Sequence, residues 1–237
     1  SHTRNLNQFD PSNNMTSLLE IGDYCFYNSG LTNFIFPTNL RIIGKYSFYN
    51  SQNLTSITLS KNLLKINDHS FKNCVKLNNI NFDPSGNLYT IGKFSFYNNY
   101  NLSSISFPLS LYEINQNAFS FCKLSYIHFP ENIKIIGDNA FEYQGYNMET
   151  LIHDKTLTNI DISGVVDIGR QAFLNNPNLI DVIFPDTIVY IRKEAFRMCG
   201  AIKNVNLPNS VQFLGDGTYR DCTGLRSFIS GNSLTIL

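Results

Sequence analysis

The chain has 237 residues, 43% of them hydrophobic and 15% charged, and its 18 basic side chains balance 18 acidic ones to a formal net charge of zero. That is enough apolar material for a sizeable core in a soluble, folded chain, while the even charge lacks the long-range attraction to phosphate that nucleic acids and anionic lipid surfaces call for. No apolar run reaches the ~18 residues of a spanning helix, "SHTRNLNQFDPSNNM" lacks the charged-then-apolar layout of an export signal, and five cysteines without close spacing suggest neither a zinc site nor a disulfide framework.

Residues 1–17 come first. "FDPSNNMTSLLEI" at 9–21 resembles "FDPSGNLYTI" at 82–91, so this segment is expected to be the tail of a preceding repeat or an N-terminal cap. From residue 18 onward a single unit recurs. Phe26, Phe48, Phe71, Phe96, Phe119, Phe141, Phe173 and Phe196, continued by Tyr219, follow one another at 22 to 25 residues, with one interval of 32. Eight residues before each stands an aliphatic residue (Leu18 to Val211), five before it another (Ile21 to Leu214), and directly before it a small one (Cys25 to Thr218). Residues 18–237 thus read as nine repeats of about 23 residues with the template L-x-x-I-G-x-x-A-F-x-N-C-x-x-L-x-x-I-x-F-P. One such unit cannot bury its own apolar face, so neighbours must stack and share a core.

Within each unit the Ala-Phe part is too short for a long helix and predicts about one turn of helical or 3-10 structure. Asn28, Asn50, Asn73, Asn98 and Asn175, two residues after the Phe, suit a left-handed turn position. Then comes a stretch such as "LTSITLS" at 54–60, "LNNINF" at 77–82 or "LSSISFP" at 102–108, whose alternation predicts a strand with one buried face. The 32-residue interval places an insertion near 142–158, carrying Tyr143, Gly145, Tyr146 and Met148, which is expected to loop out on one face. Neutral drift is its rival explanation, because closing a longer loop costs little. The last segment, "NSLTIL" at 232–237, resembles "NSVQFL" at 209–214, so the array is expected to continue beyond both ends.

The template resembles the BspA-type leucine-rich repeat throughout 18–237. It departs from the commoner leucine-rich repeat, whose strand is followed by an Asn ladder, in closing its strands with Pro37, Pro108, Pro130, Pro185 and Pro208. The resemblance implies an α/β repeat solenoid: a right-handed coil with a parallel β-sheet on the concave face and short helical or 3-10 turns on the convex side. It also implies a non-enzymatic protein-binding module at the cell surface or secreted, adhesin-like, that engages host matrix or cell-surface proteins. The alternative is a cytoplasmic leucine-rich repeat scaffold binding an intracellular protein, which reduced cysteines and the absence of cysteine-rich caps would suit. A glycan partner and a homo-oligomer through uncapped ends stay open; nucleic acid, membrane insertion and a cofactor are not expected.

His2, His69, His128 and His153 fall in different repeat phases, and no phosphate loop, nucleophile elbow or H-E-x-x-H is present, so neither catalytic nor metal-binding residues are expected. Cys74, Cys122, Cys199 and Cys222 take the third place after the repeat Phe, where Ser51, Asn99 and Asn176 stand in other copies, and read as buried reduced thiols; Cys25 takes the small-residue place. Cys199 and Cys222 lie on adjacent rungs, within reach of disulfide distance. The strands offer two outward columns. One runs Asn33, Ser56, Asn79, Ser104, Tyr126, Asn159, Asp181, Asn204, Ser227, and the other Ile35, Thr58, Asn81, Ser106, His128, Asp161, Ile183, Asn206, Ile229. Tyr126, His128, Asp161 and Asp181 are the chosen partner-binding residues, with Asn159, Asn204 and Asn79 on the same face and Tyr143 and Tyr146 as a rim. Plain solvated polarity is the competing reading. Tyr24, Tyr46 and Phe94, with Tyr27, Tyr49 and Tyr97, form an aromatic stripe confined to the first four repeats, read as rings packed on neighbouring rungs rather than an exposed patch. The sequons at Asn14, Asn53 and Asn101 are chance-level matches in an Asn-rich chain.

Overall fold

Each repeat closes one turn of a coil, and a turn contributes one tight bend and, in all but one of the described repeats, two short strands. The computed structural model describes residues 8–9, 17–154 and 156–236. Most of the opening segment, where a preceding repeat or cap was expected, lies outside them. Strands are numbered in chain order.

The expected strand is present as β3 (Asn33–Ile35), β5 (Ser56–Thr58), β7 (Asn79–Asn81), β10 (Tyr126–His128), β12 (Asn159–Asp161), β14 (Asp181–Ile183), β16 (Asn204–Asn206) and β18 (Ser227–Ile229). The alternation places the middle residue inward, so Phe34, Ile57, Ile80, Ile127, Ile160 and Val205 are buried. These strands pair in parallel as β3-β5-β7, extended by β1 (Gln8–Phe9), and as β10-β12-β14 and β16-β18. At 102–108, where a strand was expected, none forms, and the ladder is interrupted there. Ser103, Ser104 and Ser106 bring little β-propensity, although Leu102 and Phe107 are still buried in the core.

A second ladder was not anticipated. The two-residue strands β2 (Glu20–Ile21), β4 (Ile42–Ile43), β6 (Lys65–Ile66), β8 (Thr90–Ile91), β9 (Glu113–Ile114), β11 (Ile135–Ile136), β13 (Asp167–Ile168), β15 (Tyr190–Ile191), β17 (Phe213–Leu214) and β19 (Thr235–Ile236) form one continuous parallel sheet of ten strands. Two residues are too few to show an alternation. The glycine that follows the Ile in the template marks how closely these rungs approach: a Cβ on Gly137 would lie 2.7 Å from the carbonyl carbon of Asn115.

The expected helical or 3-10 turns are absent from the described residues. Every bend carries two left-handed residues four apart, two before and two after the repeat aromatic, as in Tyr46 (φ 55°) and Asn50 (φ 57°) around Phe48. A right-handed helix cannot run through such positions. The amide of the repeat aromatic instead donates to the next rung: Phe48 N to Ser70 O (2.7 Å), Phe119 N to Ala140 O (2.8 Å) and Phe141 N to Ala172 O (2.8 Å). Asn28, Asn50, Asn73, Asn98 and Asn175 all take the left-handed role foreseen for them, at φ of 55° to 62°.

The repeat aromatics stack into a spine through the core. Successive centroids from Phe26 to Tyr219 lie 5.0 to 5.7 Å apart, and the rings from Phe48 to Phe196 are fully buried. Phe141 and Phe173, on either side of the insertion, stack at 5.7 Å, so the extra residues leave the coil without breaking its register.

Candidate binding face

Parallel pairing in register turns the sequence columns into adjacent side chains. Tyr126 lies opposite Asn159 and Asn159 opposite Asp181, while His128 lies opposite Asp161 and Asp161 opposite Ile183. Ile127 and Ile160 anchor β10 and β12 from below, which points Tyr126, His128, Asn159 and Asp181 outward as exposed side chains. His128 Nδ1 and Asp161 Oδ2 are 2.9 Å apart. Asp161 Oδ1 also accepts from the backbone N–H of Ser163 (3.2 Å) and from its hydroxyl. Partial burial pushes the Asp161 carboxyl up, but the Ser163 hydroxyl, the His128 ring and the Ser163 amide together outweigh it and hold the group below the usual carboxylate range.

The structure therefore brings Tyr126, His128, Asn159, Asp161 and Asp181 into one three-stranded patch. Asn79 and Asn204 are exposed on the same kind of strand but belong to the separate ladders of β5-β7 and β16-β18. Ile183 was in the column but not among the chosen residues; 81% exposed, it lines a shallow pocket with Ile160, Asp161, Ser163 and Pro185. The available signal was an isoleucine standing among polar residues at an outward position.

Tyr143 and Tyr146 sit elsewhere, in an aromatic cluster of the bends. Tyr143 stacks on Phe121 at 5.1 Å and meets Tyr146 edge-on, and Tyr146 pairs with His153 in an antiparallel bridge that closes the insertion on itself. Lys123 forms an ion pair with Asp154 (2.7 Å), which also accepts from the Tyr100 hydroxyl, and Tyr97 donates to Met148 Sδ (3.7 Å). These contacts fold the insertion back over the preceding rungs.

Most of the aromatic stripe stacks from rung to rung, Tyr24–Tyr46–His69–Phe94 at 4.9, 4.6 and 4.9 Å and Tyr27–Tyr49 at 5.0 Å, with Tyr24 and Tyr27 left exposed on the end rung. It includes His69 and ends at these positions with Phe94 and Tyr97, which meets Phe121 edge-on, and Phe121 in turn stacks on Tyr143. Beyond Phe94 the same positions become a polar network that sequence reasoning missed. Asn139 and Asn117 donate to the two oxygens of Glu142 (2.7 and 3.1 Å), and Gln171 donates to Glu194 (2.6 Å).

The third place after the repeat aromatic is a ladder of donors to the preceding rung, broken at Asn99, whose buried carboxamide has no partner among the described residues. Cys74, Cys122, Cys199 and Cys222 direct Sγ at the carbonyls of Phe48, Phe96, Phe173 and Phe196 at 3.1 to 3.3 Å, as Ser51 Oγ does to Phe26 O and Asn176 Nδ2 to Phe141 O, both at 3.0 Å. Burial pushes the Cys74 thiol up to about 12 and the Cys122 and Cys199 thiols higher, which suits structural rather than reactive sulfur. All five cysteines are free, Cys199 and Cys222 included, and Cys25 is exposed on its end rung rather than buried. Among the described residues no group of three His, Cys, Asp or Glu side chains is placed to hold a metal, and no helix is long and apolar enough to cross a membrane.

Several solved structures resemble this coil at 20% identity. A leucine-rich repeat protein from Eubacterium ventriosum has a TM-score of 0.49 over 87% of this chain and 69% of its own, and one from Bacteroides ovatus has 0.48 over 92% and 78%. The pneumococcal vaccine antigen PcpA has 0.46 over 87% and 66%. No curated relative matches the chain. The model of the BspA type leucine rich repeat region matches residues 19–147 and 149–237 in six copies. The chain belongs to the BspA type leucine-rich repeat family.

Proposed function

We propose that this chain is a non-enzymatic protein-binding module of a secreted or cell-surface, adhesin-like protein, engaging host matrix or cell-surface proteins through the three-residue strand face, the concave side of a right-handed coil. The observation that carries this reading is the in-register patch of β10, β12 and β14. It sets an exposed aromatic ring (Tyr126), the His128–Asp161 pair, the carboxylate of Asp181 and the apolar Ile183 side by side on a hydrogen-bonded base. Aromatic and apolar groups ringed by polar ones are what binding hot spots are made of. Strands locked between neighbouring rungs lose little conformational freedom when a partner docks. Recognition of this kind requires no chemistry.

The test is retention of host-cell surface and matrix proteins by immobilised chain, comparing the wild type with the variant Tyr126→Ala, His128→Ala, Asp181→Ala. The changed side chains are exposed, so the variant is expected to melt like the wild type in circular dichroism and to bind the partner about tenfold or more weakly. Equal retention by both proteins would move the interaction off this face, and retention of nothing by the wild type would overturn the adhesin-like reading.

A further inference from the structure

The insertion and the rungs beneath it frame a second site, away from the strand patch and independent of it. Its floor is the corner of the coil at Val75, Asn98, Tyr100 and Asn101, and its wall is Asn147 and Glu149 of the insertion; the half-open cleft between them is about 230 Å³. That lies below the roughly 300 to 1,000 Å³ of pockets for drug-sized ligands, a scale suited to one ring-sized unit. The wall is held in place rather than draped, through the Lys123–Asp154 ion pair, the Tyr100 hydroxyl donating to Asp154, and the Tyr97 hydroxyl donating to Met148.

The hydrogen-bonding capacity left over inside this pocket specifies a ligand. Asn98 spends its Nδ2 on Asn73 Oδ1 (3.2 Å) and Asn101 spends its Nδ2 on the Val75 carbonyl (2.8 Å), so each has an unused Oδ1 among the described residues. Asn147 is used the other way round. Its Oδ1 accepts from the backbone N–H groups of Glu149 (2.8 Å) and Thr150 (3.1 Å), which leaves Nδ2 as a donor. With the Glu149 carboxylate and the second N–H that Asn98 and Asn101 each keep, the site offers both acceptors and amide donors beside the ring of Tyr100 and the aliphatic Val75. An anion would face Glu149, and an apolar ligand would strand the carboxamides. A cation would meet Lys123, whose ammonium already lies 5.2 Å from the Tyr100 ring centroid. Hydroxyl groups both donate and accept, and the C–H face of a pyranose suits an aromatic and aliphatic floor.

We infer that this pocket under the insertion binds a neutral saccharide unit, with Asn98, Asn101, Asn147 and Glu149 reading its hydroxyls and Tyr100 and Val75 its apolar face. The experiment titrates the full chain with neutral oligosaccharides of glucose, galactose, mannose and N-acetylglucosamine, and separately with Nα-acetyl-lysine amide as the cationic probe. Saturation-transfer NMR detects binding and calorimetry measures it. At least one saccharide binds, and Asn101→Ala with Asn147→Ala weakens it about tenfold or more in a variant that still unfolds cooperatively. Glu149→Gln leaves it within about threefold, because an amide oxygen still accepts. Tyr126→Ala, on the strand face, leaves it unchanged, which keeps this result separate from the protein-binding test. Absence of saccharide binding, or binding that survives the double variant, overturns the inference. So does binding of the lysine probe that is abolished by Glu149→Gln, which would make the pocket an ammonium site.

Discussion

Phe119 and Tyr219 occupy equivalent places in the spine and should answer substitution in opposite ways. Phe119 is fully buried between Phe96 and Phe141, at 5.1 and 5.3 Å, and Phe119→Ala should cost about 3 to 5 kcal/mol in denaturant unfolding. Tyr219 adds a hydroxyl that is buried without a hydrogen-bond partner among the described residues, and burial drives its pKa well above the ordinary tyrosine value. Tyr219→Phe keeps the ring and removes the stranded oxygen, so it should raise stability by about 1 kcal/mol. A loss of stability instead would mean that the hydroxyl has found a partner. The series of aromatics was legible from their spacing, Tyr219 included. The stranded hydroxyl was not, because the same ring in an open environment would simply have turned its oxygen to water.

At the level of the element, the bend is where local and tertiary forces part. Its short Ala-Phe stretch looks helical, yet residues such as Asn117 (φ 55°) and Phe121 (φ 58°) on either side of Phe119 are left-handed, and the amides alternate: those of Asn117, Phe119 and Phe121 bond to the next rung, while those of Ala118 and Ser120 bond three residues back along the chain. The same bends hold Glu142, which is buried. Burial raises its pKa and prevails over the hydrogen bonds from Asn139, Ser120 and Asn117. A carboxyl raised in the folded state contributes stability that is fully present below its unfolded value and is lost as the pH climbs through its folded value. Relative to Glu142→Gln, the wild type should therefore lose stability steadily from about pH 4.5 upward, seen as a difference in denaturation midpoint that grows between about pH 4 and pH 7. A difference that stays constant over that range would show that Glu142 titrates normally. The residues of this network stand at the fixed positions two before and one after the repeat Phe, which show in the sequence only as variable places. Their meaning depends on which side chain the next rung brings alongside.

For the molecule as a whole, charge balance leads to a simple expectation. With 18 positive and 18 negative side chains and no run of either sign, the chain should pass a heparin column unretained at about 0.15 M salt; elution only at much higher salt would reveal a basic face that the composition conceals. The sequence by itself determined the period, the number of rungs, the Phe spine, the inward and outward faces of the three-residue strands, and the register that sets Tyr126 and His128 beside Asn159 and Asp161. All of these follow from a pattern repeated in one direction, in which each unit has to bury the same apolar face against its neighbour. Only the tertiary structure decided the rest: the continuous ladder of two-residue strands, the second left-handed residue of each bend that excludes helix, the thiol-to-carbonyl bonds, and the folding of the insertion away from the strand face and over Tyr97, Tyr100 and Lys123. Each of these rests on bonds between rungs some 20 to 50 residues apart, such as Cys74 Sγ to Phe48 O or Tyr100 to Asp154, and no local preference of the chain encodes such partners.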